Sequence, residues 1–116
     1  MGVNFEFSRP PGGPIRQGDL LLVPVPGLPE QAGLLGRGRL VLAKGEATGH
    51  AHVVDDERAS VHRVGWPETT YLRVVGDEPV SLVHEEHERL FVRPGVYEVR
   101  RQREYVPRQR ARWVTD

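Results

Sequence analysis

Short apolar runs broken by turn residues recur along this chain, and they leave little room for anything but strands. "QGDLLLVPV" begins with the turn pair Gly18-Asp19 and continues from Leu20 to Val25 as an apolar run of strand length. "RLVLAKG", "HAHVV", "RASVHRV", "TTYLRVV", "VSLVH" and "RLFV" follow. Pro94-Gly95 then sets a tight turn ahead of a long last run in "RPGVYEVRRQREYV". Several of these runs are rich in β-branched and aromatic residues, which suit a pleated surface. Breaks such as "GWPE" and "GDEP" come about every eight to twelve residues. The expectation is an all-β fold, a small β-sandwich or barrel of roughly seven or eight short antiparallel strands.

Local detail sharpens this outline. Pro24 places the end of its strand at an edge or bulge. "PGLPEQAGLLGRG" is expected as a loop, with one helical turn after Pro29, and "GRGRL" within it as a β-turn. Asp55, Asp56 and Glu57 are expected to form an acidic turn that ends the "HAHVV" strand. "VHEEHERL" is the one stretch where a helical turn competes, because its residues are acceptable helix formers. "RPPGGP" at 9 to 14 excludes helix, so residues 1–17 are expected as a flexible N-terminal arm and 18–116 as a single β domain. Trp113 is expected to pack back onto the fold. No internal repeat is visible.

Composition limits the function classes. At 116 residues one modest core is within reach. The 38% hydrophobic and 28% charged residues are those of a globular chain rather than a disordered one. Sixteen acids cancel sixteen bases, so no whole-molecule field draws the protein to nucleic acid or anionic lipid. With no cysteine, disulfides, thiolate metal sites and a cysteine nucleophile are excluded. No apolar stretch approaches the ~20 residues that cross a bilayer, and the N-terminus lacks the pattern of a secretion signal. A cytoplasmic location is therefore expected, with no membrane partner.

Four of the five histidines fall into two tight pairs, His50/His52 in "GHAH" and His84/His87 in "HEEH". Residues i and i+2 of a strand share a face, so His50 and His52 project side by side. His84 and His87 share a face only if a bulge or one helical turn intervenes. Neutral imidazole is a ligand for zinc, iron, manganese and nickel, and Glu85 or Glu86 offers a carboxylate. If the pairs meet, His50, His52, His84 and His87 are the candidate ligands of a divalent transition metal. Glu85 and Glu86 are then the candidate proton carriers for metal-dependent water chemistry. The alternative is that both pairs are polar surface. His62, mid-strand between Val61 and Arg63, is expected to be unrelated.

The HxH at 50 to 52, with Gly45 ahead of it and Glu57 behind, loosely resembles the first motif of the cupins, small β-barrels that hold a metal. The second cupin motif is matched only by the Pro-Gly turn in "RPGVYEV", with no histidine after it, so the likeness bears on architecture as an analogy. The running pattern "QGDLLLV", "GEATGHAH", "YLRV", "LVHEEHE", "PGVYEVRRQREY" resembles a family of small bacterial and phage-encoded proteins to which no activity is attached. It implies that residues 17 to 105 form one fold.

The remaining signals are weaker. Arg100, Arg101, Arg103, Arg108, Arg110 and Arg112, with Tyr105 and Trp113 interleaved, have the composition of a phosphate-contacting strand. Pairing with the many glutamates is the competing reading, and overall neutrality argues against nucleic acid. "GRGRL" matches neither phosphate-loop nor dinucleotide spacing. "GEATG" reads as a connecting loop, although its N–H groups could face an anion. Ser8, Ser60 and Ser81 lack the nucleophile-elbow context of a serine hydrolase. Two readings follow: a metal-binding β domain, or a non-enzymatic interaction module that uses Arg100, Arg101, Arg103, Tyr105, Arg108, Arg110 and Arg112 against a protein or phage-complex partner, with self-assembly through exposed strand edges.

Overall fold

The computed structural model describes residues 13–44 and 50–101. Eight strands follow one another without a helix among the described residues: β1 (Ile15–Gln17), β2 (Leu20–Val25), β3 (Gly33–Lys44), β4 (Ala51–Gly65), β5 (Glu68–Val74), β6 (Val80–His84), β7 (His87–Val92) and β8 (Gly95–Arg101). All recorded strand pairs are antiparallel and belong to one sheet in the order β1-β2-β8-β5-β4-β6-β7, with β3 paired to β4. The sheet curls until it is nearly closed, a small all-β barrel.

Strand alternation supplies the core. Leu20 and Leu22 of β2, Val54 of β4, Leu72 and Val74 of β5, Val80 and Leu82 of β6, Val92 of β7 and Tyr97 of β8 are buried in a single cluster. Burying side chains of this size is worth roughly 1.5–3 kcal/mol each before chain entropy is counted. Tyr97 keeps its hydroxyl satisfied by donating to the Arg93 carbonyl at 2.8 Å, and burial pushes its phenol up to about 12.

Three local expectations need correction. Residues 15–17 are not arm but a strand, paired with Leu20–Leu22; residues 1–12 lie outside the described set. Residues 33–38, expected as loop and β-turn, belong to β3. Glycines are tolerated there because the β3–β4 ladder carries register shifts at Leu34/Gly36 and Arg37/Gly38, and Gly38 takes the positive φ of 93° that such an irregularity needs. The acidic segment does not end a strand either. "HAHVV" and "RASVHRV" are halves of one β4 that bends at Asp56–Ala59.

Arg58 holds that bend. Its Nε and Nη2 donate to the Asp56 carboxylate at 3.1 and 3.0 Å, and its Nη1 donates to the Glu78 carbonyl at 2.8 Å. The Val75 N–H donates in turn to the Arg58 carbonyl at 3.0 Å. Beyond the bend β4 pairs with β5, and before it with β6. One strand therefore joins both sides of the barrel.

Candidate functional site

The histidine pairs meet where the two edges of the sheet come together. His84 and His87 stand directly opposite each other across the two-residue turn Glu85-Glu86 of the β6–β7 hairpin, so a turn, rather than a helical segment, puts them on one face. Their ring centroids are 4.7 Å apart. His50 directly precedes β4, and His52 is its second residue. The His84 ring lies 5.9 Å from His50 and 4.2 Å from His52, and the His52 ring is 6.2 Å from His87.

Two residues that the histidine spacing does not point to complete the cluster. Gln17, at the end of β1, is 3% exposed. Its side-chain amide donates to the carbonyls of Leu82 (3.1 Å) and Glu88 (2.9 Å), bridging β1 to the β6–β7 hairpin. Both amide hydrogens are thus used, and Oε1 is an acceptor, 2.8 Å from Nδ1 of His52. Nδ1 of His52 must therefore carry a proton, and in the neutral ring Nε2 is left with a lone pair.

That Nε2 faces Oδ1 of Asp19 at 3.4 Å. Burial holds the His52 pKa below its ordinary value, and the neighbouring His84 adds to the effect. Burial alone would raise Asp19, but the hydrogen bond and charge of Arg101, whose Nε lies 2.9 Å from Oδ2, outweigh it and keep the carboxylate ionised to lower pH. Near neutrality two acceptors are therefore turned toward each other. Gly18 tightens the corner. It takes φ +59° in the β1–β2 turn, and a Cβ placed there would lie 2.6 Å from Nε2 of His87.

The rim is arranged differently. The Glu86 N–H donates to Nδ1 of His84 at 3.0 Å, so a neutral His84 carries its proton on Nε2. Nδ1 of His50 lies 3.1 Å from Oε2 of Glu86, and Glu85 accepts the Ala51 N–H at 3.3 Å. The hydrogen bond from its own backbone N–H, and then that from Ala51, hold Glu85 below the ordinary carboxylate range. On the outer side of β4 and β6 an open cleft of about 380 Å³, floored by Ala51, Val53 and Val83, ends at His84 and Glu85.

Among the described residues no group of three or more His, Asp or Glu side chains is already arranged to hold a metal ion. The rings stack, tilt or meet edge-on against one another. Of the arginine-rich segment, Arg100 donates to Glu98 at 3.0 Å. Arg101 is engaged with Asp19 and the Lys44 carbonyl. Arg103, Tyr105, Arg108, Arg110, Arg112, Trp113 and the "GEATG" loop lie outside the described residues. His62 is hydrogen-bonded to Ser60 at 2.9 Å.

One family pattern, described as Domain of unknown function (DUF8820), matches residues 16–102 and so contains every side chain of the cluster. No curated protein and no solved structure matches the chain.

Proposed function

The chain belongs to that DUF8820 family, and from the geometry of its histidine cluster we propose that it binds a divalent transition-metal ion. The observation that carries this reading is the facing of His52 Nε2 and Asp19 Oδ1 at 3.4 Å. Two acceptors so placed need a proton or a cation between them. Ligands bonded to zinc at ~2.0–2.1 Å in a tetrahedron are themselves roughly 3.3–3.4 Å apart. The bond from Nδ1 of His52 to Gln17 is the outer contact that orients metal-binding imidazoles.

His87 is the third ligand in this reading. It is exposed, and its Nε2 lies against Gly18 of the β1–β2 turn. His84 and His50 form the rim, with His84 able to join only by giving up the Glu86 N–H. Glu86, beside His50, would be the carboxylate to take up a proton if such an ion activated a water at the rim, and Glu85 braces the turn through the Ala51 N–H.

Elemental analysis of protein purified without a histidine tag tests the reading. About one ion per chain is expected, falling to background in His52→Ala and Asp19→Asn. Metal-free protein that takes up no zinc, manganese or nickel on titration would remove it.

A second reading, self-assembly, is favoured by β3. Among the described residues only β4 pairs with it, and Leu34, Leu35 and Val41 are exposed along it. Light scattering over a concentration series checks this, and a constant monomer mass would exclude it.

A further inference from the structure

Farther along β4, beyond the bend, a second buried polar pair lies on the opposite side of the sheet. Ser60 and His62 are only 3% and 8% exposed, and Ser60 Oγ is 2.9 Å from His62 Nε2. Val61 and Leu72 face the core. By alternation, Ser60 and His62 point outward, together with their cross-strand partners Arg73 and Tyr71. The β3 register sets Arg37 opposite Ser60 and Leu34 opposite His62. Polar side chains on an outer face are buried only where taller neighbours stand around them. Ser60 and His62 thus lie covered on the outer face, with an arginine across from Ser60 on each neighbouring strand and Leu34 and Tyr71 across from His62.

Arginine dominates this face, because Glu98, the cross-strand neighbour of Tyr71, is taken up by Arg100. Arg39, Arg58, Arg63, Arg100 and Arg101 have carboxylate partners. Among the described residues neither Arg37 nor Arg73 forms an ion pair. Both act on His62, whose pKa is lowered by burial first and then by Arg73 and Arg37. The ring is therefore neutral near pH 7, and the positive charge over this patch is that of the guanidinium groups. The β3 and β5 backbones flanking β4 are about 10 Å apart, a gap that two arginine side chains can close over one anion. Guanidinium forks suit phosphate-type oxygens, and the neutral Ser-His pair adds hydrogen-bonding groups beneath them.

We infer that this patch binds an oxyanion of the phosphate or sulfate kind, gripped between Arg37 and Arg73 over Ser60 and His62, with the ligand's apolar portion lying against Leu34 and Tyr71. This site is separate from the histidine cluster, and the inference does not depend on metal binding.

Inorganic phosphate and phenyl phosphate, titrated while the His62 ring resonances are followed by NMR at low salt, test it. Both probes should move these signals saturably, phenyl phosphate at lower concentration, with affinity falling as salt rises. The double variant R37Q/R73Q should bind at least tenfold more weakly with an unchanged melting temperature, because both arginines are exposed, and R73K should retain most of the binding. No saturable shift with either probe, or parent-like binding by the double variant, overturns the inference. Equal affinity for the two probes would overturn the role given to Leu34 and Tyr71.

Discussion

Gln17 accepts the Nδ1 proton of His52 at 2.8 Å while its own amide group reaches two carbonyls of the β6–β7 hairpin. Three hydrogen bonds at one buried side chain thus join β1, β4, β6 and β7, and each has a defined donor. Gln17→Ala should cost about 2–3 kcal/mol in denaturant unfolding, because buried acceptors and the His52 N–H lose their partner. Gln17→Glu should cost at least as much, since a carboxylate cannot donate to Leu82 or Glu88. Wild-type stability in Gln17→Ala would mean that the edges hold together without the bridge.

Gly18 is constrained twice, by its backbone and by His87. Gly18→Ala should destabilise by at least about 1–2 kcal/mol from the positive φ alone, with a steric contribution from the 2.6 Å approach to Nε2 of His87 added to it. In a double-mutant cycle with His87→Ala the steric part should disappear while the backbone part remains. Simple additivity would show that the His87 ring moves aside without cost.

The bend of β4 depends on Arg58. Arg58→Ala releases the Asp56 carboxylate and uncaps the carbonyls of the β5–β6 connection. A lower melting temperature is expected, together with faster amide exchange at Val75, whose N–H bonds to the Arg58 carbonyl. Arg58→Lys should recover only part of this, because an ammonium cannot form the forked contact with Asp56. Unchanged exchange at Val75 would contradict a bracing role.

Stability should fall on both sides of neutrality for different reasons. His62 has a folded pKa below the ordinary 6.5. On acidification the unfolded chain takes up its proton first, so stability is full above about pH 6.5 and declines as the pH drops toward the lower folded value. His62→Gln should make that limb shallower, leaving the part that His52, also held below its ordinary value, contributes. Tyr97 behaves oppositely at the alkaline end. Its folded pKa of about 12 exceeds the ordinary 10.0, so stability is complete below pH 10 and is lost as the pH rises from there toward 12. Tyr97→Phe should remove this alkaline dependence in pH-resolved thermal melts. It should also remove the hydrogen bond to Arg93.

Much of the barrel is visible in the sequence because its turns are local. Gly18-Asp19, Trp66-Pro67 and Pro94-Gly95 each mark a reversal that the structure contains. The misread places are those where a strand runs through residues that normally end one. β3 carries Gly33, Gly36 and Gly38 through its irregular ladder, and β4 passes Asp55, Asp56 and Glu57 because Arg58 anchors a bend there. The histidine pairs stand out by spacing, but whether they meet depends on strand register. In the sequence Gln17 is legible only as the end of the arm and Asp19 only as part of a turn. Their place in the site depends on β1 being brought against β7, a contact between residues about seventy positions apart that no short motif encodes. Ser60 and His62 are hidden for a similar reason, since their burial comes from side chains on β3 and β5.

Because Gln17 both latches the seam and sets the tautomer of His52, the cluster cannot be adjusted independently of the scaffold. Any ligand that prefers the oriented imidazole also favours the latched seam, so occupancy should slow opening at the far ends of the chain's pairing order. Conversely, a lesion that loosens the seam should disable the cluster without touching a single histidine.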